Sequence, residues 1–393
     1  MSWREEDRLL LYCCRKDSDR KNRNKIIEIQ RRSLDWEYFL REARENGISA
    51  VVYSKLNEIR KDCPYIPSFV FKKLKKVYYL NATQNSLILE ELGKVLKIFH
   101  NAGLQVIILK GALLAEKIYG NLALRPMMDV DLLVKKEDLF YLDKQMRILG
   151  YRPSDISIDD IDFSSTYLTT LDYRSLAPNS TSFHVHWHFV NSTIPNESYT
   201  KKIKIEDIWR DAEKTDIAGV ETLVMAPHHL LIHLSEHALR VTHSLSKLSF
   251  FCDIDEAVNS YQEKLDWEKL IKESLKFNLS RMVYISLYFT AKFLETKIPE
   301  NVFLKLRPER FSLGEKIFMK TISNNKRFSG LSYLVHLSMN KGFMKKMNFL
   351  GRTLFPPPQF MAQRNYIPQS KLSYIHYIRR INEVFSRLFK ALS

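Results

Sequence analysis

The stretch Val106–Val134, VIILKGALLAEKIYGNLALRPMMDVDLLV, decides how the rest of the chain is read. Val106-Ile107-Ile108-Leu109 is a short apolar run of the kind that forms a buried strand, and it ends in Lys110-Gly111. Ala112–Tyr119 reads as a helix, a loop carries Arg125-Pro126, and Asp129–Val134 is a second strand. Side chains alternate along a strand, so Asp129 and Asp131 share one face. This order predicts an α+β fold in which a small mixed sheet is embedded between helical regions.

Two carboxylates at i and i+2 would repel each other, and one would stay protonated unless a cation lay between them. Mg²⁺ (or Mn²⁺) takes oxygen ligands and relieves that repulsion. Gly111, at a strand-to-helix turn, has no Cβ to obstruct a phosphate, and the helix that follows offers free N–H groups to anions. Lys110 and Arg125 add positive charge, to neutralise phosphate or to orient the carboxylate strand. Asp-x-Asp on a strand, or Lys-Gly after one, is commonplace alone. The combination in this order is more specific and points to metal-assisted transfer of a phosphate-bearing group.

Outward from this centre, residues 1–100 read as an N-terminal helical region. Asp35 is the N-cap of a helix, and apolar residues recur at helical spacing from Leu80 to Phe99. The basic stretch Arg15–Arg32 reads as an exposed loop or helix end. Residues 101–204 form the core, with a helix over Leu139–Leu149 and a polar, ambiguous region over Tyr151–Asn179. Ser182–Phe189 alternates strictly, with His184, His186 and His188 on one face. Residues 205–296 return to helices. One opens at Pro227 and carries His229, His233 and His237; another begins at Asp266-Trp267 and runs through to Phe293. Residues 297–393 are basic, aromatic and helical, broken at Pro356-Pro357-Pro358. They close with an apolar stripe over Leu372–Leu392, flanked by Arg379, Arg380, Arg387 and Lys390.

The composition is that of a folded protein: of 393 residues, 45% are hydrophobic and 27% charged, which excludes wholesale disorder and collagen-like repeats. The scarcity of glycine (11) and proline (13) favours long helices over a turn-rich all-β fold. Cys13, Cys14, Cys63 and Cys252 form no CxxC pair or disulfide framework, which argues for a reducing compartment and against a zinc-thiolate site. There is no secretory signal, and no apolar run reaches the roughly 18 residues of a transmembrane segment. The expectation is a cytoplasmic protein, in reach of a membrane surface. From Lys297 onward, 18 Lys and Arg face four acids, so +14 of the net +16 lies in this last quarter. Such asymmetry suits an anionic membrane surface or RNA, or else is a solvated basic face.

Around Lys110-Gly111, Tyr119, Arg125 and Asp129-Val130-Asp131 the chain resembles the nucleotidyltransferases of the polymerase-beta superfamily. Within them it is most similar to a bacterial group of uncharacterised nucleotidyltransferases. The likeness extends to Asp35-Trp36, His186-Trp187, His233, His237, Asp253, Asp266-Trp267 and Leu354-Phe355-Pro356. It implies an enzyme that moves a nucleoside monophosphate from an NTP such as ATP to the hydroxyl of an unknown acceptor. Asp129 and Asp131 would hold the metal, and Lys110, Gly111 and Arg125 would bind nucleotide. The superfamily's third carboxylate is expected at His184, which brings no negative charge; Asp172 is a substitute, and His186 a further metal-site candidate. Ala112 stands where many relatives carry Ser. These departures leave room for a catalytically impaired nucleotide-binding protein, or for an adaptor working through its basic C-terminal region. Without Cys partners or an HExxH arrangement, the two histidine triplets are expected to hydrogen-bond within an interface or line the nucleotide cleft rather than bind zinc.

Overall fold

The computed structural model describes residues 3–14, 20–154, 158, 169–175, 181–190, 194–195, 197–364 and 369–392. The polar region 151–179 and the basic stretch 15–32 therefore lie partly outside the described residues. Among these residues, seven strands form one mixed sheet: β1 (Ile107–Ile108), β2 (Asp129–Leu133), β3 (Tyr151–Pro153), β4 (Thr170–Ser175), β5 (Ser182–His186), β6 (Glu213–Ile217) and β7 (Val220–Val224). Their order is β3-β4-β5-β2-β1-β7-β6. β2 runs antiparallel to β1 and parallel to β5, so the Asp-x-Asp strand lies at the centre. The fold class is α+β, as expected, with helices flanking the sheet.

The centre is apolar where the sequence said it would be. Ile107, Ile108, Leu109, Val130, Leu132 and Leu133 are fully buried. Only two residues of the first apolar run meet the ladder criteria, yet Leu109 N still donates to Asp131 O at 3.0 Å. That bond brings Lys110 level with the Asp-x-Asp strand.

Residues 205–295 are not wholly helical: after the short helix Ile205–Arg210 comes the β6–β7 hairpin, which pairs with β1 and completes the sheet. Glu213–Ile217 and Val220–Val224 are mostly polar, and Ala218-Gly219 lacks the usual Asn-Gly turn signal. The turn nevertheless has the two positive φ values a tight hairpin needs, 53° and 74°. It seats against the 34-residue helix Ser68–Asn101. A Cβ at Gly93 of that helix would meet Ala218 O at 2.8 Å, so only glycine allows the approach.

The helix expected from Asp266 to Phe293 is two helices, Trp267–Lys276 and Ser280–Leu294. Asn278, at φ 58°, reverses the chain between them although the apolar period carries on. The expected Asp35 cap is present, accepting from Tyr38 N at 2.9 Å, and Asp266, at the expected start of a helix, caps it by accepting from Lys269 N at 2.9 Å. The strand bearing the histidines stops at His186, so His188 lies beyond it and turns back to Val190 O at 3.3 Å. No helix among the described residues is long and apolar enough to cross a membrane. The four cysteines are buried and unpaired with one another in disulfides.

Candidate active site

Register places the chemistry. Across the parallel β2–β5 ladder Asp131 stands opposite His184, and across the antiparallel β4–β5 ladder His184 stands opposite Asp172. Asp131, His184 and Asp172 thus form a row over three adjacent strands, with Asp129 two residues along. His184 Nδ1 lies 3.2 Å from Asp129 Oδ2 and 3.8 Å from Asp131 Oδ1, and its Nε2 lies 3.7 Å from Asp172 Oδ1. The imidazole occupies the point between three carboxylates.

Asp131 is the buried member. Lys110 Nζ sits 2.6 Å from its Oδ2, and His186 Nε2 lies 3.0 Å from its Oδ1. Burial opposes its charge, but Lys110 and the His186 contact outweigh that, so the carboxyl lies well below the usual carboxylate range. Burial drives His186 down to about 4 despite the neighbouring carboxylate. At neutral pH the ring is therefore uncharged and Nε2–H is the donor. Asp129 moves the other way: burial, then the charge of Asp131, raises its pKa. This is the repulsion expected of two carboxylates on one face.

Arg125 does not orient the Asp-x-Asp strand directly. Its guanidinium forks onto Asp253 of the helix Leu248–Ser260, with Nε 3.1 Å from Oδ1 and Nη2 3.2 Å from Oδ2. Tyr119 OH donates to the same Oδ1 at 3.1 Å. The segment between Tyr119 and Arg125 is therefore moored to a helix more than a hundred residues later in the chain. Gly111 sits in the short helix Lys110–Leu113, which continues with wider π-type turns over Leu114–Ile118. A Cβ there would meet only Asp129 O at 3.5 Å and Met127 Sδ at 3.9 Å, ordinary contacts. Internal packing does not require glycine at this position.

These side chains line a cleft of ≈ 570 Å³. The lining also holds residues that sequence reasoning did not single out: Arg240, paired with Glu236, His243, and the exposed Lys247. The expected histidines divide between two roles. His237 lines the cleft beside His243, whereas His233 is buried with Nδ1 3.2 Å from Phe189 O.

Also missed were three amides of the Ser68–Asn101 helix. Asn81 donates to Ala123 O at 3.1 Å, and Gln84 to Met127 O at 3.2 Å. Fully buried Asn85 donates to Leu122 O and Arg125 O at 2.6 and 2.7 Å and accepts from Met127 N at 3.1 Å. Amides at i, i+3 and i+4 within a helix that otherwise buries apolar residues were the available signal. Asn85→Ala is expected to destabilise the fold by about 2–4 kcal/mol, because three backbone groups lose their partner. Chemical denaturation checks this, and a loss below about 1 kcal/mol would show that the loop holds without it.

With this geometry in place, comparison with known proteins is decisive for kinship. The sequence profile described as "Uncharacterised nucleotidyltransferase" matches residues 32–295, about two thirds of the chain. The chain belongs to this nucleotidyltransferase family. The match takes in the seven-stranded sheet, the cleft and the Asp253 helix, and ends before the basic C-terminal region. No curated protein is significantly similar to this family member. Among solved structures it matches that of the antibiotic-resistance factor ANT(2'')-Ia, at 14% identity and TM-score 0.34, over 53% of this chain and 98% of the other.

Proposed function

We propose that the chain transfers a nucleoside monophosphate from an NTP to an acceptor hydroxyl, using the cleft above β2. The observation that supports this best is Asp129 and Asp131 on one strand face, at the floor of a cleft whose walls carry Lys110, Arg125 and Arg240. The donor set suits Mg²⁺ or Mn²⁺: two carboxylates, one of them raised by burial and then by the charge of the other, a strain that a divalent ion relieves. Asp129 and Asp131 would hold it, and a divalent ion bound there neutralises triphosphate charge and makes the acceptor oxygen a better nucleophile. Lys110 holds Asp131 ionised, and His186 orients it through the neutral ring. Arg240 and Lys247 supply positive charge in the same cleft. Gly111 lines the cleft beside Lys110, and without a Cβ it puts no side chain between the backbone and a bound phosphate. The direct test is release of pyrophosphate from each NTP with Mg²⁺ or Mn²⁺ and an extract of small-molecule and macromolecular acceptors. Nucleotide binding without pyrophosphate release from any pool would favour a silent nucleotide-binding protein instead.

His184 supports a sharper expectation. In His184→Asp the row would hold Asp129, Asp131, Asp172 and a fourth carboxylate within a few ångströms. The variant should melt several degrees lower in chelator than the parent, recover with Mg²⁺, and match or exceed parental turnover. Calorimetry with and without Mg²⁺ checks this; lower turnover with an intact fold would assign the imidazole a role of its own.

A second reading concerns the C-terminal region, which we propose binds an anionic membrane surface. Phe343 and Met344 are 74% and 76% exposed on the helix Phe343–Leu354, next to Lys345 and Lys346. A concavity of ≈ 490 Å³ nearby is lined by Lys201, Lys202, Lys341, Lys345 and Arg352, with Glu197, which pairs with Arg352. The final helix, Tyr374–Leu392, splits its stripe: Val384 is buried against Tyr333 and Phe349, whereas Ile375, Ile378 and Phe385 are half exposed. Phosphatidylserine vesicles at low salt should sediment the full chain, and Phe343→Ser with Met344→Ser should abolish this. Binding to RNA but not to vesicles would reassign the patch.

A further inference from the structure

Away from the cleft, three ligand-type side chains converge where the β6–β7 hairpin leaves and re-enters the helical layer. Asp211 ends the helix Ile205–Arg210, just before β6. His228 and His229 lie in the first turn of the helix Pro227–Ala238, just after β7. One ligand atom from each lies within 4.8 Å of the others. Both histidines are buried. His228 Nε2 and both ring nitrogens of His229 have no hydrogen-bond partner, and Asp211 Oδ2 accepts no well-directed hydrogen bond.

Buried polar atoms without partners are rare, and three imidazole nitrogens left so, with one from each ring close to the Asp211 carboxylate, need an explanation. Packing sets the ring of His229, which stacks on Phe277 with an interplanar angle of 18°. Asp211 Oδ2 has Lys269 Nζ at 3.0 Å and His228 Nε2 at 3.5 Å, while Arg210 Nε donates to its Oδ1 at 3.2 Å. Lys269 is 38% exposed at its side chain, so it can turn to water and yield its place beside Oδ2.

We propose that Asp211, His228 and His229 bind one Zn²⁺ ion, which clips the two ends of the hairpin together. Two imidazoles and a carboxylate match the nitrogen and oxygen preference of zinc, whereas Mg²⁺ favours all-oxygen sites such as Asp129 and Asp131. Bond lengths of about 2.0–2.2 Å need the ligand atoms to draw together by side-chain rotation, with water as fourth ligand. The ion would replace Lys269 as counter-charge to Asp211 and satisfy one nitrogen of each imidazole. Its effect is on the sheet edge, because β7 pairs with β1, the strand that delivers Lys110.

The test uses the full chain stripped with EDTA, titrated with Zn²⁺ against a chromophoric chelator, and analysed for metal content. One Zn²⁺ per chain and a higher melting temperature are expected. His228→Gln and Asp211→Asn should weaken binding by about 100-fold or more. Circular dichroism in EDTA confirms that these variants fold; His229→Gln is a weaker choice because its ring also packs on Phe277. Asp129→Asn should keep its zinc. No zinc bound tighter than about 10 μM, or unchanged affinity in His228→Gln and Asp211→Asn, overturns the proposal. Zinc lost from Asp129→Asn but kept by His228→Gln would also overturn it, by placing the ion in the cleft. The readout is metal content, so a failed transfer assay leaves this result standing.

Discussion

Asp129→Asn should lower pyrophosphate release by about 1000-fold, the scale of removing one preorganised electrostatic partner of the transition state. Its melting temperature should hold or rise, because the ionised Asp129 is opposed by burial and by Asp131 in the fold. Asp131→Asn should abolish release as well, but at a structural cost. Lys110, 12% exposed at its side chain, would lose its partner at 2.6 Å. Breaking a buried ion pair from one side costs about 3 kcal/mol or more. The two substitutions therefore separate chemistry from stability, and rates paired with calorimetry read both. Parental turnover in Asp129→Asn would remove the metal-site assignment.

Acidification should unfold the protein well above the ordinary carboxylate range. Burial holds His186 and His336 down to about 4, and His229 and His243 down to about 3. A histidine whose folded pKa is depressed contributes its full stability above about pH 6.5 and loses it as pH falls towards the folded value, since the unfolded chain takes up the proton first. Each contributes about 1.4 kcal/mol per pH unit in that window, so four give on the order of 5 kcal/mol per unit. A net stability of about 5–15 kcal/mol cannot absorb much of that. Asp129 and Glu236, both raised chiefly by burial, oppose the trend as pH falls through their folded values. Tryptophan fluorescence should report an unfolding midpoint between about pH 4.5 and 6 at 25 °C. His336→Gln, at a residue that belongs to neither proposed ion site, should make the transition shallower. A protein still folded at pH 4 would contradict this account.

The central motif was readable because its signals are local. An apolar run, a Lys-Gly turn and alternating acids each report on a few consecutive residues, and they placed β2, Lys110 and the paired carboxylates. His184 was located by analogy with a carboxylate position, and the ladder puts it opposite both Asp131 and Asp172. What escaped depends on distant pairings. Arg125 reads as a charge for phosphate or for the carboxylate strand, and nothing near it announces Asp253, 128 residues away. Asn85 looks like an unremarkable helix residue until the loop folds over it. The β6–β7 hairpin was hidden because a strand pair at a sheet edge, with much of its surface in water, needs little hydrophobicity, and its Ala-Gly turn carries only half of the usual signal.

The mooring of the Leu122–Met127 loop bears on how this catalytic unit could be divided, inherited or transplanted. Asn85 grips the loop from upstream, Asp253 from downstream, and β7 closes the flank of β1. A fragment spanning only residues 101–204 would carry every acidic residue of the row and none of these three anchors. A piece that keeps all three anchors runs at least from the start of the long helix at Ser68 to the end of the Asp253 helix at Ser260. Chimeras joined inside those limits would inherit the acidic row without the frame that aims it, and the helix Ser280–Leu294, which packs on the Asp253 helix, would have to travel with them.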